Sequence, residues 1–182
     1  MDSIIGRLVA TILTLILIAG VGFIAYNGFQ QNKVSTMTAG ISSLVESIQQ
    51  DYSQYPSFAG LSTMPVNSLS SVKNLWGNSA GTVGTAGGLL DPWGNDVTVT
   101  SGATPPTGAT NVTAANMVIT DTGTSFGASE CKTMAMAGGA SAYETVVGGT
   151  MVNTVAGGSI NPVTAATACA GGAKAIAWVF GH

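Results

Sequence analysis

The side chains that could support catalysis are few in this 182-residue chain. Its one histidine, His182, is the last residue of the sequence, where exposure is the default. We find no Ser/His/Asp set, phosphate-binding loop, HExxH zinc motif or paired carboxylates. The acidic residues of the C-terminal part are spread along the sequence: Asp91, Asp96, Asp121, Glu130 and Glu144. We therefore expect neither enzymatic activity nor a cofactor.

Two short patterns concern binding or modification. Asp91 and Asp96, with backbone oxygens, could hold a calcium ion, which binds oxygen ligands. The alternative, which we prefer, is that Asp91 caps the Pro-Trp-Gly turn that follows it, and no metal is bound. Residues 111–113, Asn-Val-Thr, match the acceptor pattern for N-glycosylation, but three residues specify such a site only weakly.

The two cysteines, Cys131 and Cys169, are 38 positions apart. They lack the paired Cys/His spacing of a zinc site. A disulfide is favoured over two buried thiols, provided that the compartment is oxidising. Closing a loop of this length would stabilise the fold by about 4 kcal/mol in the chain-entropy account.

The composition argues against a nucleic-acid-binding protein. Charged residues make up 7% of the chain, against about 25% in average proteins, and the net charge is -3. The five basic residues are scattered: Arg7, Lys33, Lys73, Lys132 and Lys174. Because nucleic-acid binding depends on clustered Lys and Arg, we expect no direct contact with DNA or RNA. Net charge opposes self-association, so the low charge favours a protein that polymerises.

A long apolar run dominates the N-terminal part. No residue from Leu8 to Asn32 is charged, and the run is long enough to cross a bilayer of about 30 Å as a helix. Three interpretations compete: a cleaved secretory signal, a permanent membrane anchor, or a segment that later leaves the bilayer to pack against copies of itself.

The sequence after the apolar run distinguishes these interpretations. Apolar residues recur at spacings of three and four, which predicts an amphipathic helix that ends before Pro56. They are Val34, Met37, Ile41, Leu44, Val45, Ile48 and Tyr52. One helix from about residue 3 to 52 would be about 75 Å long, a rigid continuation that a plain anchor seldom needs. The predicted parts are an apolar helix (1–29), its amphipathic half (30–56) and a globular head (57–182).

The head reads as an α+β domain. Alternating, β-branched runs predict strands at 97–100 and 116–120, and 175–180 suits a buried strand. We expect the three tryptophans, Trp76, Trp93 and Trp178, to lie in the core. Loops rich in Gly, Thr, Asn and Pro should form the surface.

This succession of features resembles the type IV pilins along the whole chain. Residues 89–99, LLDPWGNDVTV, resemble a turn that leads into a strand in type IVb pilins and in major pseudopilins. Residues 128–139 are similar to the type IVb helix that begins at the first disulfide cysteine. Residues 161–182 resemble the type IVb ending, a helix with the second cysteine followed by an apolar strand. Because pseudopilins generally lack the bridge, the resemblance favours type IVb.

The resemblance implies an α+β fold, with the long N-terminal helix packed on an antiparallel sheet and one disulfide. It also implies a major pilin that polymerises for adhesion, aggregation or conjugative contact. Such a subunit is held in the inner membrane, is used by the pilus assembly machinery, and ends in an extracellular pilus. Its partners are copies of itself and a host or bacterial surface. The alternatives are a pseudopilin of a type II secretion system and a minor tip pilin.

The N-terminus departs from the family pattern. Met1 suits the processed, methylated first residue, but Ile5 stands where pilins usually carry a glutamate that pairs with a neighbour's amine. Asp2 is the carboxylate within reach of that amine. Either Met1, Asp2 and Arg7 contact one another at a subunit interface, or they lie among headgroups and solvent.

In a filament, lipid around the apolar run must be replaced by protein. We expect a bundle of helices at the fibre axis, formed by Leu13, Ile16, Leu17, Ile18, Val21 and Phe23. Gly20 and Gly22 each weaken a helix by about 1 kcal/mol relative to alanine, so they are candidates for helix melting during assembly. The alternative is that they serve close helix packing.

Overall fold

The structure, a computed structural model of the chain, describes residues 28–69, 81–171 and 174–181. The chain divides into two compact units, Met1–Lys33 and Val34–His182. Within the first unit the described residues, 28–33, are helical, and Lys33 Nζ lies 5.0 Å from the centroid of the Phe29 ring. The three-part division drawn from the sequence remains a prediction.

Helix α1 covers residues 28–52 of the described chain. Within the second unit, its predicted apolar stripe is buried, which confirms the helical period of the sequence pattern. The buried positions are Val34, Met37, Ile41, Leu44, Val45 and Ile48, while Tyr52 is partly buried against the same core. The helix ends four residues before Pro56, as expected.

A six-stranded antiparallel sheet forms the body of the second unit. Its strands are β1 (Leu89–Leu90), β2 (Asp96–Ser101), β3 (Met117–Asp121), β4 (Glu144–Val147), β5 (Thr150–Met151) and β6 (Ile176–Phe180). Their order across the sheet is β1-β2-β3-β6-β4-β5, so the last strand of the chain lies at the centre. Strands β2, β3 and β6 were predicted to within a residue or two, whereas β1, β4 and β5 were not predicted.

The two faces of the sheet are both covered. On the inner face, β3 and β6 contribute Met117, Ile119, Ile176, Trp178 and Phe180 to one core cluster with α1. On the outer face, a second cluster consists of Val118, Val146, Ala177 and Val179. Ala109 and Val112, from the connection between β2 and β3, pack against this outer cluster. That connection therefore covers the outer face of the sheet in addition to forming a surface loop.

Two short helices lie between the strands of the C-terminal half. Helix α2 is Ala128–Gly138 and helix α3 is Pro162–Cys169. Asn161 caps α3, since its side chain accepts hydrogen bonds from the backbone N–H groups of Val163 and Thr164. Helix α2 approaches the sheet closely at Gly138, where a Cβ would lie 3.0 Å from Trp178 Nε1 and 3.1 Å from Ile41 Cδ1. Glycine thus permits the contact of α2 with β6 and α1.

These elements confirm the α+β class, with a helix on an antiparallel sheet. Among residues 28–69, 81–171 and 174–181, no helix is both long and apolar enough to span a membrane. The predicted span from Leu8 to Phe29 falls almost entirely on residues outside these ranges.

Candidate functional site

The predicted filament-core residues lie outside the described part of the chain. This applies to Leu13, Ile16, Leu17, Ile18, Val21 and Phe23, to the melting candidates Gly20 and Gly22, and to Met1, Asp2 and Arg7. Their roles in assembly remain predictions. Trp76 and His182 also lie outside the described residues, while Trp178 is fully buried and Trp93 is half-buried against the core.

The predicted disulfide is present and joins the two helices of the C-terminal half. Cys131 in α2 and Cys169 in α3 are bonded, with their Cα atoms 5.8 Å apart. Both side chains are fully buried in the core cluster. The bridge closes residues 131–169, which we call the disulfide-bounded segment. This segment carries α3 and strands β4 and β5, so the bond fixes a continuous part of the surface to the sheet.

Exposed apolar side chains concentrate in the disulfide-bounded segment. Of the six large apolar side chains exposed in the described residues, four lie there: Met136, Tyr143, Val155 and Val163. Val163 is 72% exposed and Val155 is 63% exposed. Single exposed apolar residues are ordinary, but their concentration in one stretch of chain suits a contact surface.

A buried glutamate, Glu144, anchors the connection between β2 and β3. It lies on β4, and its side chain is on the outer face because its register partner Val179 belongs to the outer cluster. Glu144 Oε1 accepts hydrogen bonds from Thr110 Oγ1 at 2.7 Å and from the Asn111 backbone N–H at 3.2 Å. Oε2 accepts one from the Thr110 N–H at 3.0 Å. Three donors thus satisfy a carboxylate that is out of contact with solvent.

This anchor also places the possible glycosylation pattern at residues 111–113. The Asn111 side chain is exposed, and its Nδ2 donates to Thr110 Oγ1 at 3.1 Å. Thr113 Oγ1 is engaged with Asn116 Oδ1 at 3.1 Å. The backbone of the acceptor residue is therefore held against the sheet, although its side chain is accessible.

Asp91 has the capping role that the sequence predicted. Its Oδ1 accepts hydrogen bonds from the backbone N–H groups of Trp93 at 2.8 Å and Asn95 at 2.7 Å. Its Oδ2 accepts one from Asn95 Nδ2 at 2.6 Å. The ring of Trp93 contacts Phe126 edge-on, with centroids 5.6 Å apart. The turn before β2 is thus built around one carboxylate.

A second carboxylate, Asp121, lies beside Asp91, although the two residues are 30 positions apart in sequence. The spacing of the acidic residues along the sequence did not indicate this pairing. Burial, followed by the charge of Asp91, raises the pKa of Asp121 to about 8. The backbone N–H of Gly123 opposes this rise because it donates to Asp121 Oδ1 at 2.8 Å.

The alternative of a calcium site at Asp91 and Asp96 gains no support from the geometry. Both oxygens of Asp91 accept hydrogen bonds from N–H donors. Asp96 Oδ1 accepts from the Gly87 backbone N–H at 2.8 Å. Within the described ranges, no group of three or more His, Cys, Asp or Glu side chains is placed to hold a metal ion.

Comparison with known proteins identifies the architecture. No protein-family model matches the chain, and no curated protein matches it in sequence. Among solved structures, the chain is similar to TcpA, a type IV pilin from Vibrio cholerae El Tor biotype, with a TM-score of 0.51 and 18% sequence identity. The match covers 83% of this chain and 99% of the TcpA chain.

The chain has the type IV pilin fold.

The sequence did not predict three features of this pilin fold. They are the buried Glu144, the pairing of Asp91 with Asp121, and the cover that residues 102–116 form over the outer face. The signal available for Glu144 was weak: one acidic residue in a run of β-branched ones, at 144–147. For the aspartates there was no local signal.

Proposed function

We propose that the chain is the major pilin of a type IVb pilus, a structural subunit that polymerises into a surface filament for adhesion, aggregation or conjugative contact. The observation that carries the proposal is the pilin fold, matched over nearly the whole length of TcpA. The Cys131–Cys169 bond between α2 and α3 supports the type IVb subclass over a pseudopilin.

Polymerisation needs surfaces that gain from burial. Tyr143, Val155 and Val163 offer such a surface in the disulfide-bounded segment. Each Å² of apolar area removed from water contributes about 25 cal/mol. Burial of two or three such side chains at each contact would therefore stabilise the association of neighbouring subunits along a fibre. The partner that fits best is a second copy of the chain, because 7% charged residues leave little repulsion between neighbouring heads.

The apolar run from Leu8 to Phe29 supports a membrane stage before assembly. We propose that the subunit waits in the inner membrane, is taken up by the pilus assembly machinery, and exchanges lipid contacts for helix contacts at the fibre axis. Neighbouring subunits would then be related by a screw operation, a head-to-tail contact that does not close and so makes a fibre.

A structural role also suits the polar groups of the head. Glu144 and Asp91 accept hydrogen bonds from N–H and O–H donors within the head, so both carboxyl groups stabilise the fold. The role we propose is therefore non-enzymatic.

The test is the location of the chain on expressing cells. Filaments sheared from the surface are identified by mass spectrometry and labelled with gold-conjugated antibody under the electron microscope. Label along the whole filament supports a major pilin. Label at the tip alone would indicate a minor pilin, and a chain that stays in the membrane fraction would indicate a pseudopilin or an anchored module; either result contradicts the proposal.

A pair of surface variants tests the contact surface separately. Val163→Gln, in the disulfide-bounded segment, should reduce filament yield while the chain still accumulates in the membrane. Tyr55→Ser, at an apolar side chain that is 61% exposed outside that segment, is the control and should reduce the yield less. Equal filament yields from V163Q and the wild type would show that this surface does not contribute to assembly.

A further inference from the structure

Asp121 occupies an unusual position for an acidic residue. It ends strand β3, where its register partners are Val97 on β2 and Ile176 on β6, both members of the inner core. Its side chain has no exposed surface. Oδ1 accepts a hydrogen bond from the Gly123 N–H, but the buried Oδ2 receives none from the described part of the chain. An ionised carboxylate would thus leave one charged oxygen without a donor.

The loop that follows Asp121 cannot easily move to supply that donor. Gly123 has φ +61°, and a Cβ there would overlap the Lys174 carbonyl. The backbone two residues after Asp121 is therefore packed closely against that of Lys174, in a conformation that favours glycine. Thr124 is also engaged, since its N–H and Oγ1 both donate to Asn95 Oδ1, at 3.2 and 2.7 Å.

Asp91 lies next to Asp121, within hydrogen-bonding reach of its side chain. Three N–H donors point at its oxygens, so the Asp91 carboxyl group already serves as a hydrogen-bond acceptor. Two ionised carboxylates cannot hydrogen-bond one another, because each only accepts. A proton on Asp121 Oδ2 turns this contact into a hydrogen bond and satisfies the unpaired oxygen.

We propose that Asp121 is a neutral carboxylic acid in the folded protein and that its O–H group donates a hydrogen bond to the Asp91 carboxylate. The head thus carries a buried proton-binding site. Between the two pKa values, the Asp121 carboxylate takes one proton from solvent on folding and returns it to solvent on unfolding; no other covalent bond is made or broken. The inference stands apart from filament assembly, since it concerns the folded subunit alone.

The raised pKa of Asp121, about 8 in the folded chain, agrees with this geometry. Its causes are burial first and the Asp91 charge second. Other charged groups on the packed elements point elsewhere. Asp96 on β2 lies on the opposite sheet face, Glu130 on α2 lies beside Gly127, and the Lys174 side chain packs on Gly148 and Gly171. On α1, Glu46 and Asp51 are exposed.

The site makes folding depend on pH in a defined direction. Between the ordinary pKa of 3.8 and about 8, the folded chain binds this proton and the unfolded chain does not. Unfolding therefore releases one proton, and the unfolding equilibrium constant should rise tenfold per pH unit across this window. The stabilisation is complete below pH 3.8, declines as the pH rises across this window, and is fully lost once the pH has risen through about 8.

The experiment compares urea unfolding of the full chain with that of Asp121→Asn, in non-ionic detergent with the disulfide intact, at several pH values from 5 to 9. Asparagine can accept from the Gly123 N–H and donate to Asp91, so D121N mimics the neutral acid. We expect D121N to lack the wild-type pH slope and to be the more stable protein at pH 8. Asp51→Asn, at an exposed carboxylate, is the matched control and should keep the slope.

An infrared difference spectrum of wild type minus D121N at pH 7 gives a readout that does not depend on stability. It should contain the carbonyl band of a protonated carboxylic acid. If the band belongs to an ionised carboxylate, or if D121N keeps the wild-type slope, the proposal is wrong. Stabilisation of the wild type by added calcium at pH 8, absent in D121N, would also overturn it, because the pair would then be a cation site. Should D121N fail to fold, the wild-type spectrum on its own, with isotope-labelled aspartate, still decides.

Discussion

Thr110 Oγ1 donates a hydrogen bond to Glu144 Oε1 at 2.7 Å, across 34 positions of sequence. With the backbone N–H groups of Thr110 and Asn111, it makes the connection between β2 and β3 part of the folded body. Through this anchor Ala109 and Val112 cover the outer apolar cluster. The sheet is thereby packed on both faces, and the pilin fold keeps no bare apolar sheet surface in the described region.

Replacing Glu144 by alanine should lower the free energy of unfolding by about 3 kcal/mol, because three donors lose their acceptor beneath a packed loop. Thr110→Val should cost about 1 kcal/mol, since it removes a single hydrogen bond. Chemical denaturation measures both values, and thermolysin cleavage near Val112 reports release of the loop. Glu46→Ala, at an exposed position on α1, is the control and should change stability by less than about 0.5 kcal/mol. An E144A protein as stable as E46A would contradict the anchoring role.

Removing the disulfide with the pair Cys131→Ala and Cys169→Ala should destabilise the head by about 4 kcal/mol, the value for a closed loop of this length. Because both sulfurs are fully buried, dithiothreitol should reduce the native protein only as fast as it opens. Thiol labelling with and without urea, followed by mass spectrometry, measures this protection. Rapid reduction of the folded protein would show that the bridge is accessible, against the structure.

Ile41→Ala should destabilise the second unit by about 3 kcal/mol, since it opens a cavity where α1 packs on the inner sheet face. Ile41→Val, which removes one methyl group, should cost about 1 kcal/mol. Ser35→Ala, at an exposed position on the same helix, is the matched control. If all three proteins unfold at the same urea concentration, α1 does not contribute the packing that its buried stripe indicates.

Gly138→Ala should cost about 2 kcal/mol, because the new methyl group would press on Trp178 and Ile41. Ala137→Ser adds an atom to the neighbouring exposed position and should be nearly neutral. Tryptophan fluorescence during denaturation, to which Trp178 contributes, measures the stability. A neutral G138A would mean that α2 can move away from the sheet without loss.

The elements that sequence reasoning predicted well are those with a local pattern. The apolar stripe from Val34 to Ile48 repeats every three or four residues, and strand β3 is a run of β-branched and apolar residues ended by Asp121. Both patterns are decided by neighbours along the chain. The turn at Asp91 was likewise predictable, because its partners Trp93 and Asn95 are within four residues.

The features that were missed depend on partners far away in sequence. Glu144 could be recognised as buried only through Thr110, and Asp121 as a paired carboxylate only through Asp91. Strands β1 and β5 have two residues each, too few to show an alternation. The three donors to Glu144 on β4 come from Thr110 and Asn111, which are 34 and 33 positions away in sequence.

The most direct test of the central claim is electron cryo-microscopy of filaments sheared from expressing cells. The account predicts a helical polymer of this chain, with heads of the fold described above on the outside and the helices containing Leu13, Ile16 and Phe23 bundled at the axis. Filaments made of another protein, with this chain retained in the membrane, would contradict it.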